Sequence, residues 1–316
     1  MKAAVIEVLG QAPKYREFEE PVANENEILI KVRAAGLHPI VKAIASGAHY
    51  SATGQVPMVA GLDGVGIRPD GARVYFGSPR KPWGTMAEWC AAPASMCLPL
   101  PDGISDIEAA AIANPGMSAW LSLKERAEVK PGETVLILGG TGVAGQLAIQ
   151  AARHLGAKRV IAAGRNVDAI AREDVDAIVA LGEPEDAVRE AMIAEAKNGI
   201  DVVIDYLWGR PTELLLEALA KTFKPSSTKS TRLVEVGQSA GPTITLPGAV
   251  LRSVDLKLLG SGFGSVPLDT ILAAIPELFK MAAAGKFHVD VEASPLSDVE
   301  AAWTRIEKGR RIAFTI

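Results

Sequence analysis

From about Ser118 onward the chain alternates short, wholly apolar runs with longer amphipathic stretches. Thr134-Val135-Leu136-Ile137-Leu138 is a continuous apolar run closed by Gly139-Gly140, and Val143 to His154 then carries helical spacing up to a stop at Gly156. Further strands are predicted at Arg159–Ala163, Ala177–Leu181, Asp201–Asp205, Leu233–Val236 and Leu256–Leu259, with helices at Asp186–Lys197 and Thr212–Lys221 between them. Strands without polar alternation, separated by helices, are the signature of a parallel sheet buried on both faces. The polar stretch Lys224 to Thr231 reads as a surface loop.

The chain before Ser118 has a different texture. Short alternating segments such as Ile28–Val32 and Met86–Trp89 are separated by Gly- and Pro-containing turns, which predicts an irregular β-rich domain. Beyond Gly260, two amphipathic helices (Leu268–Ala284 and Asp298–Lys308) and a closing strand (Ile312–Ile316) are too little for a domain of their own. The tail is expected to rejoin the first region, giving one domain from 1–117 completed by 261–316 and a second at 118–260.

Composition narrows the class. A 316-residue chain suits two domains, and 48% hydrophobic with 22% charged residues describes a globular protein. No apolar run approaches the ~20 residues that span a bilayer, and the opening MKAAVIEVLG lacks a signal peptide's apolar core, so a cytoplasmic location and no membrane partner are expected. With 33 Lys and Arg against 37 Asp and Glu and no basic block, nucleic acid is not an expected partner. Cys90 and Cys97 can build neither a disulfide framework nor a four-cysteine zinc site, and read as ordinary buried thiols.

Candidate chemistry starts at the turn after the first apolar run. Gly140-Thr141-Gly142-Val143-Ala144-Gly145 is G-x-G-x-x-G between a predicted strand and a predicted helix, the context that turns a weak glycine triplet into a dinucleotide-binding signal. Gly140 permits the tight turn, Gly142 leaves room for a pyrophosphate, and Gly145 lets helix and strand approach. The first N–H groups of the helix lack intrahelical partners, and its dipole favours an anion there. The next strand ends in Gly164-Arg165-Asn166, where sites for NAD place a carboxylate; Asp168 comes later. A guanidinium can instead grip a 2′-phosphate, so NADP(H) is the expected cofactor.

These pieces, with Met1-Lys2-Ala3-Ala4-Val5, Ile28 to Gly36, Val59 to Gly64, Gly84 to Trp89, the stretch Ala109 to Trp120, Val129 to Glu133, Arg232 to Gly237 and Leu258 to Ser261, resemble the zinc-independent, quinone-oxidoreductase-like branch of the medium-chain dehydrogenase/reductase superfamily along nearly the whole chain. The resemblance implies an α/β protein: a GroES-like β-rich catalytic domain plus a Rossmann doubly wound parallel-sheet cofactor domain. It implies a homodimer or larger homo-oligomer and hydride transfer to small molecules, quinones or α,β-unsaturated carbonyls. It also places Asn114 and Ser118 at the nicotinamide ribose or carboxamide, and Val236, Gly237, Gly260 and Ser261 along the cofactor.

Where zinc-dependent relatives place their ligands this chain has His38, Leu62-Asp63 and Asn114, a poor donor set, so no metal is expected. His38 then lines a cleft or is structural, and Asp63 is expected to hold nearby backbone N–H groups. The branch's common Asn, Asp and Arg near His38, Val41 and Ala45 are replaced, which leaves the substrate open. Reduction of an enone builds charge on its carbonyl oxygen, and a donor aimed there stabilises the transition state. Lys42, His49 and Tyr50 lie in the right stretch. Tyr50 is the expected donor, because a phenol donates without bringing a charge into an apolar site; the other reading is a tyrosine packed at a domain edge. Trp83, Trp120 and Trp208 read as packing residues. Two further readings stay open: an NADPH-binding protein without catalysis, and a zinc alcohol dehydrogenase.

Overall fold

In a computed structural model, residues 1–222, 230–306 and 309–316 are described. The loop expected from Lys224 to Thr231 therefore lies almost wholly outside the described residues. Among those residues no helix is long and apolar enough to cross a membrane.

Along the chain, eight strands come first: β1 (Lys2–Ile6), β2 (Lys14–Glu17), β3 (Glu27–Gly36), β4 (Met58–Val59), β5 (Asp63–Ile67), β6 (Arg73–Gly77), β7 (Trp89–Pro93) and β8 (Cys97–Pro99), with helix α1 (Pro39–Ala45) after β3. Helix α2 (Asp106–Leu121) leads into β9 (Thr134–Leu138), α3 (Val143–His154), β10 (Arg159–Gly164), α4 (Val167–Ile170), β11 (Ala177–Ala180), α5 (Glu185–Asn198), β12 (Val202–Asp205), α6 (Gly209–Lys221), β13 (Ser230–Glu235), α7 (Gly248–Ser253) and β14 (Asp255–Gly260). The chain closes with α8 (Leu268–Ala283), β15 (Asp290–Pro295), α9 (Val299–Trp303) and β16 (Arg310–Thr315). Contacts divide it into two compact units, Met1–Pro115 with Ile275–Ile316, and Gly116–Ala274.

The first unit is built on two sheets. Strands β2-β1-β4 form a small one, and β15-β16-β3-β5-β6-β8 a larger one with β7 also paired to β3. Strand β3 is long enough to pair antiparallel with β7 through its first half and with β5 and β16 through its second. The closing strand thus joins the amino-terminal sheet, with Ala313 opposite Gly36 and Phe314 opposite Ala35. Ala35, Leu37, Val41, Ile44, Ile312 and Phe314 share one apolar core.

Three readings of this unit change. The strand expected at Met86–Trp89 begins only at Trp89; Ala87 makes a single bridge to Ala3. The helix expected from Asp298 to Lys308 ends at Trp303, because the chain must turn to feed β16, and Gly309 sits there at φ +75°; Glu307 and Lys308 lie outside the described residues. Strand β15 was not foreseen: its sequence DVEASP has no buried residue and carries no apolar run.

The second unit is one six-stranded parallel sheet in the order β11-β10-β9-β12-β13-β14. Val135, Leu136, Ile137 and Leu138 of β9 are all fully buried, which explains why this strand reads as an unbroken apolar run. Leu136, Leu138, Val203 and Leu233 pack against Val188 and Met192 of α5 and Leu214, Leu215 and Leu216 of α6. The strand order reverses direction between β9 and β12, and in open α/β sheets ligands bind beyond the carboxyl ends of the strands at that point.

Candidate functional site

The turn from β9 to α3 stands at that reversal. Gly139 has φ +95°, a conformation open to glycine, and Gly142 occupies the N-cap of α3 with no side chain capping the helix. A Cβ on Gly145 would lie 2.2 Å from the Gly139 carbonyl oxygen, and one on Gly140 would lie 2.9 Å from the Ala162 Cβ. Those two glycines are required by the protein's own packing. Gly142 differs: a Cβ there would meet only the Gly139 oxygen, at 3.6 Å, and the residue is exposed. Its bareness faces open space beside an uncapped helix N-terminus, with Thr141 and Ala144 half-buried and Val143 buried around it. The arrangement can receive an anion of pyrophosphate size against backbone N–H groups.

Gly164 ends β10 beneath this turn, and a Cβ there would press to 2.7 Å on the Thr141 methyl. Beyond it Arg165 is exposed and pairs with no carboxylate among the described residues. Asn166 has a structural role, its Oδ1 accepting the Ala169 N–H at 3.2 Å and capping α4. Asp168 lies inside α4, away from the strand end.

Asn114 and Ser118 lie four residues apart on α2. From Ala109 to Leu121 they are the two residues that are not buried, so they form one accessible stripe on an otherwise enclosed helix. Pro115 within that helix had masked it in the sequence. Val236 and Gly237 follow β13 and both donate their N–H to the Asp205 carbonyl, at 2.8 and 3.1 Å. Ser261 donates to the Glu235 carbonyl at 2.8 Å, and the Gly260 carbonyl accepts Arg126 Nε at 2.8 Å.

Two residues at the end of β12 had not been singled out. Asp205 is fully buried; its carboxylate accepts the N–H groups of Leu207 and Trp208, each at 2.9 Å, and the Thr212 hydroxyl at 2.5 Å. Burial pushes this carboxyl above the usual range, against the pull of those bonds. The grip holds Trp208 at φ +54°, a left-handed conformation uncommon for a non-glycine residue. Tyr206, next to it, has a fully enclosed hydroxyl without a formed hydrogen bond.

In the first unit His38 and Asp63 are both buried, with Nε2 and Oδ1 3.5 Å apart. Asp63 does not hold backbone N–H groups as expected: its other oxygen accepts the hydroxyl of buried Tyr75 at 3.1 Å. Loss of hydration on burial pushes His38 below its ordinary value, partly opposed by Asp63. No three or more His, Cys, Asp or Glu gather to hold a metal among the described residues. Tyr50 is 77% exposed and stacks at 4.1 Å on His49, whose Nδ1 lies 2.7 Å from the Ser51 hydroxyl. Lys42 donates to the Arg305 carbonyl at 3.1 Å. Trp83 donates to the Glu19 carbonyl and lies under Arg80, Trp120 is buried, and Cys90 and Cys97 are buried thiols, burial pushing Cys90 up to about 12.

No protein-family model matches the chain. A protein of Emericella nidulans described as a probable NADPH-dependent quinone reductase is 26% identical over an alignment covering 99% of both chains. An alcohol dehydrogenase of Geobacillus stearothermophilus is 27% identical, covering 98% of this chain and 96% of its own. The solved quinone oxidoreductase of Thermus thermophilus, studied also in complex with NADPH, superposes with a TM-score of 0.80 at 27% identity over the whole of both chains. The expected pairing of a GroES-like β-rich domain with a Rossmann sheet is the fold these proteins share. Quinone oxidoreductases and alcohol dehydrogenases of the medium-chain dehydrogenase/reductase family are among the relatives in sequence and the neighbours in structure, and they support a place for this chain in the quinone oxidoreductase-like branch of that family.

Proposed function

We propose that this protein is an NADPH-dependent oxidoreductase that reduces a quinone or an activated C=C (enone, enal or enoyl thioester) without zinc. The observation that carries the cofactor is the uncapped α3 N-terminus with bare Gly142, beside an Arg165 that has no carboxylate partner among the described residues. The backbone of Gly140 to Gly145 would hold the pyrophosphate and Arg165 the 2′-phosphate. Asn114 and Ser118 would meet the nicotinamide ribose or carboxamide, and the Val236-Gly237 and Gly260-Ser261 turns would flank the dinucleotide. Residues 118–260 are then the cofactor domain. When bound, the dihydronicotinamide supplies the hydride. Tyr50 would donate a hydrogen bond to the acceptor's carbonyl oxygen as negative charge builds there. The zinc-free reading is supported by Asp63, which accepts the Tyr75 hydroxyl, and by the burial of His38. The open edge of β14, with Leu258 38% exposed, is our candidate seam for a homodimer.

The test is oxidation of NADPH, and in parallel of NADH, against a benzoquinone, a naphthoquinone, a 2-enal, a cyclic enone and an enoyl-CoA, with zinc measured on the same sample. Turnover on one class with NADPH preferred and no stoichiometric zinc is the expected result. Tight NADPH binding without turnover on any acceptor would overturn catalysis in favour of a cofactor-binding protein. About one zinc per chain would overturn the metal-free reading.

A further inference from the structure

A small pocket in the first unit is lined by Val41, Ile44 and Ala45 of α1 and by the chain from β4 to Leu62. Nine of the ten residues around it are apolar or glycine, and the tenth is Lys81. It has room for about one water-sized group. Among the described residues four lysines are half-buried, and three of them have a partner. Lys2 pairs with Glu17 at 3.0 Å, Lys42 donates to the Arg305 carbonyl at 3.1 Å, and Lys124 lies 5.2 Å over the Trp120 ring. Lys81 has no ion pair, hydrogen bond or ring contact among the described residues. Its Nζ is nevertheless not one of the fully enclosed polar atoms, so small solutes reach it.

Taking water from an ammonium that has no counter-charge is unfavourable. The cost falls on the charged form, and burial pushes Lys81 below its ordinary value. A lysine amine in apolar surroundings is a nucleophile. We propose that Lys81 is a covalent capture site for terminal aldehydes, which it takes up as imines. The Nζ lone pair attacks the carbonyl carbon and a C–N bond forms. Both amine hydrogens then leave with the carbonyl oxygen as water, and the C=N bond is made without oxidant or reductant. The size of the pocket sets the class. A formyl carbon carries one chain, which can stay outside, whereas a ketone carbon carries two. The capture site stands apart from the cofactor reading above.

The experiment incubates the full chain at pH 7 with propanal or with butanone. Sodium cyanoborohydride traps each imine as a secondary amine, and peptide mass spectrometry gives a rate for every lysine. With propanal, Lys81 should react at least about threefold faster than Lys158, Lys197 and Lys286, which are exposed and unpaired among the described residues. With butanone that lead should vanish. Leu62→Glu sets a carboxylate in the pocket lining and should bring Lys81 to the exposed rate while leaving the other three unchanged. Reaction of Lys81 at or below the exposed rate would overturn the capture site and leave a stem that merely covers an apolar wall. A lead that persists with butanone, or in folded Leu62→Glu, would overturn the part given to the pocket. If Leu62→Glu does not fold, the wild-type rates with the two carbonyls decide.

Discussion

The Nε2 atom of His38 lies 3.5 Å from Asp63 Oδ1, and both side chains are closed off from solvent. Burial holds the imidazole neutral, with its tendency to protonate below the ordinary value of 6.5 despite Asp63 beside it, and with Arg311 adding to the depression. The unfolded chain therefore takes up a proton on this residue before the folded one does. Stability from His38 is complete above about pH 6.5 and declines as the pH falls below it, by at most about 1.4 kcal/mol per pH unit. Urea unfolding from pH 7.5 to 5 should show that decline in wild type and a flatter profile in His38→Asn. An equal slope in both would show that the ring is not the titrating group.

The glycines of the turn should separate by their reasons. Gly145→Ala forces a Cβ to within 2.2 Å of a backbone oxygen and should cost about 1–3 kcal/mol of stability. Gly142→Ala makes an ordinary 3.6 Å contact and should change stability by less than about 1 kcal/mol while weakening NADPH about tenfold or more. Thermal melts and cofactor titrations on both variants check this. Intact NADPH affinity in Gly142→Ala would remove the pyrophosphate from that turn.

Arg165 is exposed and has no carboxylate partner among the described residues, so its loss should leave the fold unchanged. Arg165→Ala should weaken NADPH by roughly 10- to 150-fold, the value of about 1.5–3 kcal/mol for a charge-assisted bond, with little effect on NADH. Equal losses for the two cofactors would rule out the 2′-phosphate role.

The strands and helices of the second unit were legible because burial on both faces leaves a plain mark: a run such as Val160 to Ala163 has no polar alternative. The glycine turn was legible for a related reason, since steric limits restrict Gly140 and Gly145 to one residue type. Helix α2 was hidden by Pro115, whose ordinary effect is to break a helix, and β2 by having all four of its residues exposed. Tyr206 and Tyr75 could not be found at all. Tyr75 matters through Asp63, twelve residues earlier on the neighbouring strand β5, and Tyr206 is marked by an enclosed hydroxyl; no periodicity of the sequence signals either feature.

Tyr50 stands apart from these enclosed groups, at 77% exposure on the segment after α1. Tyr50→Phe should therefore leave both stability and NADPH binding intact while lowering turnover on enones at least about tenfold. Unchanged steady-state turnover would exclude it from the reaction.

Strand β16 pairs with β3 across almost the whole length of the chain, and the second unit is spelled out between them. On the ribosome the segment 116–274 has all its own strands in hand well before Ala313 emerges to lie opposite Gly36. The parallel sheet of the second unit can thus condense early, whereas in the larger sheet of the first unit the Ala34–Gly36 end of β3 waits for β16 before that edge is paired. During that interval the nascent β3 edge is open to mispairing, a hazard that the arrival of β16 removes.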